Sequence, residues 1–170
     1  MRQLGLALLG VAGIMLAGCK LDREDRLRQE LGSWLTLQDT LEFSSRGTCT
    51  GAVFRLETTA ISDRITKATS IETAVHYLRA GRMVVFEIFD TSPTVVSEQI
   101  MTASLEQGLG LLSNGLGPAK RCLSDRAGLA FYNAIMSPEA VMIYDPDGNS
   151  LTLVHTQSEV PLAIFLRGNV

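Results

Sequence analysis

Ala140 to His155 reads A-V-M-I-Y-D-P-D-G-N-S-L-T-L-V-H, two apolar runs around one cluster of turn residues. Pro146 fixes its own φ near about −65°, and Asp147, Gly148 and Asn149 tolerate the geometry of a tight reversal. The flanking runs, Ala140–Tyr144 and Leu151–His155, are rich in Val, Ile, Leu and Tyr, side chains that pack well on a pleated surface. The stretch predicts a β-hairpin, and a hairpin commits its part of any sheet to antiparallel pairing.

Working outward, Pro161 precedes a further apolar run, Leu162–Leu166, read as a last strand. Upstream, Met83–Phe89 (M-V-V-F-E-I-F) is apolar on both parities except at Glu87, the pattern of a central strand covered on both faces. From Leu35 the period is two. Leu35, Leu37, Leu41 and Phe43 share one parity, interrupted by Asp39, while Thr36, Gln38, Thr40 and Glu42 occupy the other, as in a half-buried strand. Ser44-Ser45-Arg46-Gly47 is a turn cluster, and Thr48–Leu56 is the return strand. Glu57–Lys67 has no clear period and is expected to contain a loop.

Helical signals fall between these strands. Lys20–Glu30 (K-L-D-R-E-D-R-L-R-Q-E) offers Asp22/Arg26 and Glu24/Arg28 as i,i+4 pairs, with Leu27, Leu31 and Leu35 on a thin apolar line. It predicts a short charged helix ending near Gly32, with a disordered tether as the alternative. Thr69-Ser70-Ile71-Glu72 resembles a capping box ahead of Ile71, Ala74, Val75 and Leu78, with Gly81 as the stop. Ser92-Pro93 starts the next helix, whose face is Val96, Ile100, Ala103 and Leu105; Gly108 and Gly110 weaken its far end. Ala119–Met136 is mostly helical, and Ser124 can restart a separate helix within it. Strands and helices segregate more than they alternate. The expectation is an α+β fold, one domain with a largely antiparallel sheet and about three packed helices.

The N-terminus carries a different signal. Arg2 is followed by an apolar run, Leu4–Leu16, too short to span a bilayer but of the length of a secretory signal core. It ends in Leu16-Ala17-Gly18-Cys19. This arrangement resembles the lipobox of bacterial lipoproteins. The resemblance covers the first twenty or so residues and implies cleavage after Gly18, lipid on Cys19, and attachment to the membrane through that lipid. Two or three acyl chains hold a protein durably, where one holds only marginally. Lys20, not Asp, follows the Cys, which by the same resemblance favours the outer membrane over the inner. The division expected is a signal peptide over 1–18, a lipidated N-terminus and charged spacer over 19–33, and a periplasmic domain over 34–170.

Removal of 1–18 leaves about 152 of the 170 residues, enough for one core, and takes the net charge from −3 to about −4. No basic stripe appears, so nucleic acid is not an expected partner. With Cys19 lipidated, Cys49 and Cys122 remain, and two thiols in an oxidising compartment are most simply a disulfide. A redox or metal pair is the alternative, without CxxC spacing or a nearby His to support it.

Constellations for chemistry are sparse. Counted as an EF-hand from Asp145, the loop has Ser150 and Thr156 where Gly and Glu are needed. Asp145–Asn149 also resembles the D-P-D-G-N turn of the vicinal oxygen chelate superfamily, but Thr152 stands where that family's metal-binding Glu is expected, and the repeated β-α-β-β-β pattern is missing. His76 lies off the apolar stripe of its helix, and His155 ends a strand; neither has a ligand partner at a recognisable spacing. Glu87, in an apolar run, is either a buried carboxylate with functional potential or a group at an edge meeting Arg79 or Arg82. Nucleophile-elbow, zincin, Walker and dinucleotide-binding motifs are absent from the sequence, and no cofactor is expected. Two functions follow: a non-enzymatic envelope lipoprotein that binds or scaffolds another envelope component, or an enzyme or small-ligand carrier using Glu87, His76 or His155.

Overall fold

A computed structural model describes residues 20–115, 118–157 and 160–168. The expected signal peptide and Cys19 lie outside the described residues. Among the described residues, seven strands form one sheet in the order β1-β2-β7-β6-β5-β4-β3. In chain order they are β1 (Leu37–Arg46), β2 (Cys49–Leu56), β3 (Thr66–Ala68), β4 (Val84–Phe86), β5 (Val141–Asp145), β6 (Ser150–Gln157) and β7 (Val160–Gly168). All neighbouring pairs are antiparallel except β3 and β4, which run parallel. The architecture is α+β with a single, mostly antiparallel sheet. The hairpin from Ala140 to His155 stands at its centre, with Asp145 opposite Ser150 and Asn149 at a positive φ of 48° in the turn.

Both faces of the sheet are covered, and the alternation of the strands decides which side chain goes where. Leu162, Ile164 and Leu166 of β7 and Leu151 and Leu153 of β6 join one core; Ala163, Phe165 and Val154 join the other. The first core is roofed by α2 (Ile71–Arg79), α3 (Pro93–Ala103), α4 (Leu105–Gly115) and α5 (Asp125–Met136), with a 3-10 turn at Pro118–Cys122. The second is closed by α1 (Glu24–Leu31), Trp34, Leu35 and the connection holding Ile61 and Ile65. Among the described residues there are five α-helices, not about three. The additional ones are α1 and the separate α4, which begins beyond a break at the extended Ser104. No helix among the described residues is long and apolar enough to cross a membrane.

Cys49 and Cys122 form a disulfide, with Cα atoms 6.0 Å apart, linking β2 to the 3-10 turn. Gly51 lies two residues along β2 on the same face, and a Cβ there would stand 2.7 Å from the carbonyl oxygen of Cys122. The turn can approach the sheet only because residue 51 has no side chain.

Several local expectations differ from the structure. The helix start at 69–72 slides by one: Ser70, not Thr69, is the cap, and its Oγ accepts from the Thr73 N–H at 3.3 Å. The run Met83–Phe89 is a strand only over Val84–Phe86; it is fully buried and covered on both faces there. The chain then leaves the sheet, and Asp90 takes a positive φ of 54°. The loop expected within Glu57–Lys67 ends at Thr66–Ala68, which adds the unforeseen edge strand β3 beside β4. In β1 the register shifts twice, between Leu37 and Thr40 and between Thr40 and Glu42. Two bulges restore the phase, so Leu37 and Phe43 both pack on the second core while Leu41 is exposed.

Candidate functional site

The charged segment after Lys20 is built into the body. Leu27 and Leu31 of α1 are buried in the second core, at the spacing of four that puts both on one side of a helix. The i,i+4 pairs offered by the sequence do not form. Arg28 instead donates to Thr40 Oγ1 at 2.8 Å and to the Gln38 carbonyl at 2.7 Å, and its guanidinium lies over the Phe54 ring. Asp22 and Glu30 both accept from Arg167 of β7, at 2.5 and 2.6 Å. Arg167 also donates to the Gly148 carbonyl at 3.0 Å, so the β5–β6 turn serves as an anchor for the arginine. Its side chain is 13% exposed. Burial works against its charge, but Glu30 and Asp22 outweigh burial and raise its pKa.

With α1 fixed in this way, Arg26, Gln29, Glu30 and Ser33 fall on one face of the segment, looking across a cleft of about 890 Å³. The opposite wall is Arg64, Ile65 and Thr66, leading into β3, together with Arg82 and Met83, leading into β4. Trp34 contributes to the lining and is 7% exposed. Among the described residues, Arg26, Arg64 and Arg82 make no ion pair. Arg82 stands over the Tyr77 ring at 5.6 Å. Glu30, the carboxylate in the lining, is engaged by Arg167 at 2.6 Å. The cleft therefore presents guanidinium donors from three separate elements, none tied to a carboxylate, together with hydroxyl and amide groups and an apolar floor. Planar guanidinium forks of this kind match phosphate and carboxylate oxygens.

Glu87, His76 and His155 are not brought together, and none of the three lines this cleft. Glu87 follows β4, is exposed, and pairs with Lys67 at 3.1 Å, not with Arg79 or Arg82. Lys67 also meets Asp63 at 2.7 Å, and these two carboxylates, Asp63 first, raise its pKa. His76 is exposed on α2 against Tyr77. His155 is half-buried, with Nδ1 enclosed and without a hydrogen-bond partner among the described residues. Burial lowers its pKa, partly opposed by Glu139.

Comparison of the chain with protein-family models, with characterised proteins and with solved structures finds no match.

A second depression, of about 510 Å³, lies between α5 and the strands β1, β2 and β7. Leu41, Val53, Leu129, Ala130, Val160 and Leu162 make it mainly apolar, and Leu129 is 62% exposed. Tyr132 and Met136 continue the exposed apolar side of α5. The basic cleft was not foreseen from the sequence because Arg26, Arg64 and Arg82 are far apart along the chain. The signal available was Arg79 and Arg82 in a stretch, residues 73–86, that holds no acidic residue.

Proposed function

We propose that this chain is a lipid-anchored protein of the bacterial cell envelope whose body works as a binding or scaffolding module and not as an enzyme. The lipobox-like Leu16-Ala17-Gly18-Cys19 supports the anchor. The observation that carries the reading is the way the chain immediately after Cys19 is fastened to the fold. The Leu21 N–H donates to the Arg46 carbonyl at 3.1 Å, the Asp22 N–H to Ser45 Oγ at 2.9 Å, and the Asp22 carboxylate takes Arg167. Acyl chains on Cys19 would hold such a body against the bilayer with Lys20 alone between lipid and fold. In support of a binding role, the exposed apolar side of α5 is of the kind that marks contact sites for other proteins.

Replacing Cys19 with Ser tests the anchor. The protein should leave the membrane pellet, and the peptide carrying Cys19 in the wild-type protein should gain the mass of a diacylglyceryl group. A Cys19→Ser protein that is processed normally and still pellets with membranes would overturn the reading. A carrier of small anionic ligands is the second reading, favoured by the arginine-lined cleft. Thermal shift with anionic metabolites discriminates, because a ligand at one hundred times its Kd adds about 2.7 kcal/mol of stability.

A further inference from the structure

The end of the sheet from which the chain leads back to Cys19 is also the end that carries the basic cleft. Strand register fixes this. Leu21 bonds to Arg46, Arg46 pairs with Cys49, and Cys49 with Gly168, whose N–H reaches the Asn149 carbonyl. One step inward, Tyr144 pairs with Val84 and Val84 with Thr66. Arg82 and Arg64 precede those two residues, so they lie at this same end. Seven strands at a spacing of about 4.8 Å make that end roughly 29 Å wide. The anchor leaves from one side of it, and the cleft opens towards the other.

We propose that this end of the sheet lies on the bilayer and that the cleft takes the phosphates of anionic lipid headgroups. The inference rests on the lipid-anchor reading above. Arg26, Arg64 and Arg82 supply the unpaired donors, and Glu30 is engaged by Arg167, which it shares with Asp22. Trp34 and Met83 supply the apolar floor of the cleft. Asp145 and Asp147 occupy the β5–β6 turn at the same end, and the chain as a whole carries −3. Attraction to an anionic surface is therefore local to the cleft. Such a local site needs the acyl anchor to bring it within reach, and lipid plus a basic cluster is the two-signal arrangement that holds proteins at membranes.

Trp34 is the only Trp in the chain, which makes the test direct. The lipidated protein is placed in vesicles of phosphatidylcholine alone, or of phosphatidylcholine and phosphatidylglycerol in equal parts, each doped with a nitroxide-headgroup lipid. Quenching of Trp34 should be stronger in the anionic vesicles. It should fall to the neutral-vesicle level in the Arg64→Gln/Arg82→Gln variant, since each guanidinium near an anionic surface shifts the docked population about fivefold. Both arginines are exposed, and an unchanged thermal midpoint confirms that the variant folds. Equal quenching in both vesicle types, or a variant that behaves as wild type, overturns the proposal. So does stabilisation by inorganic phosphate in neutral vesicles with no difference in quenching between the vesicle types, since that outcome assigns the cleft to a soluble anion. Flotation with the vesicles reads the anchor separately. A protein that floats while Trp34 ignores composition refutes the cleft alone, and one that does not float refutes the anchor and the inference with it.

Discussion

Gly51→Ala is the substitution whose cost the structure specifies best. A Cβ at that position would stand 2.7 Å from the Cys122 oxygen, 2.9 Å from its carbonyl carbon and 2.8 Å from Leu123 Cδ2. Carbon contacts settle at about 3.5 Å. The leucine methyl can swing aside, but the Cys122 main chain cannot, because its own side chain is bonded to Cys49 two residues along the same strand. Overpacking a closed site costs about 1–3 kcal/mol, and a pinned backbone belongs at the top of that range. Against it, alanine loses less freedom on folding than glycine, an offset of about 0.4–1 kcal/mol. The net expectation is a loss of about 2 kcal/mol, or roughly 6 °C in Tm for a domain of about 150 residues. Thermal unfolding followed by circular dichroism measures it. The comparison that isolates the cause is the same substitution in a Cys49→Ala/Cys122→Ala background. That background is itself weakened by about 4 kcal/mol on the chain-entropy model. There the 3-10 turn is free to lift, so the Gly51→Ala penalty should fall below about 1 kcal/mol, an interaction energy well within what coupled neighbours show. An equal penalty in both backgrounds, or no penalty in the wild-type protein, would refute the claim that the cystine clamps the turn onto a side-chain-free position.

Three further outcomes follow from other contacts. Arg167→Leu strands Asp22, whose side chain is 12% exposed, without its cation; it should cost about 3 kcal/mol in urea titration and make the segment through α1 sensitive to proteolysis. Ser124 caps α5, accepting from the Ala127 N–H at 3.3 Å, so Ser124→Ala should cost about 1 kcal/mol at the unfolding midpoint. His155 has a folded pKa lowered by burial from the ordinary value of 6.5. Its unfolded form therefore binds protons first as the solution is acidified, and the stability it supports is present above about pH 6.5 and declines as pH falls below that value. His155→Leu should flatten this part of the pH–stability curve; a slope identical to wild type would show that other groups carry it.

The central hairpin was legible because every local cue agreed: turn residues that accept a reversal, flanked by side chains that suit a pleated sheet. The pairing of Cys49 with Cys122 was legible by counting. The edge strand β3 was not. Thr66-Lys67-Ala68 has no pattern of its own, and it is a strand because β4 lies beside it, a tertiary cause that periodicity does not encode. By propensity alone Gly108 is a weak point in a helix. In the structure a Cβ there would come within 2.4 Å of the Met101 Cα, so the glycine marks the close crossing of α3 and α4.

The same distinction governs the site. Along Lys20–Glu30 the sequence displays charges at i,i+4, and the simplest inference keeps those charges on the helix itself. The sheet competes for them and wins. Arg28 finds two oxygens on β1, and Asp22 and Glu30 find one arginine on β7. Bonds made in a partly buried setting outweigh exposed helical pairs, which contribute only about 0.2–0.5 kcal/mol each. Once α1 is docked, Arg26 is left facing Arg64 and Arg82 across the cleft, with the nearby carboxylate already spent on Arg167. The basic cleft is thus a consequence of how α1 is held, and not of any local motif. It follows that releasing α1 should dissolve the cleft. In the Arg167→Leu protein, the composition-dependent quenching of Trp34 should be lost together with the protection of residues 22–31. A protein that loses the protection yet keeps the quenching would show that the arginines gather without the helix.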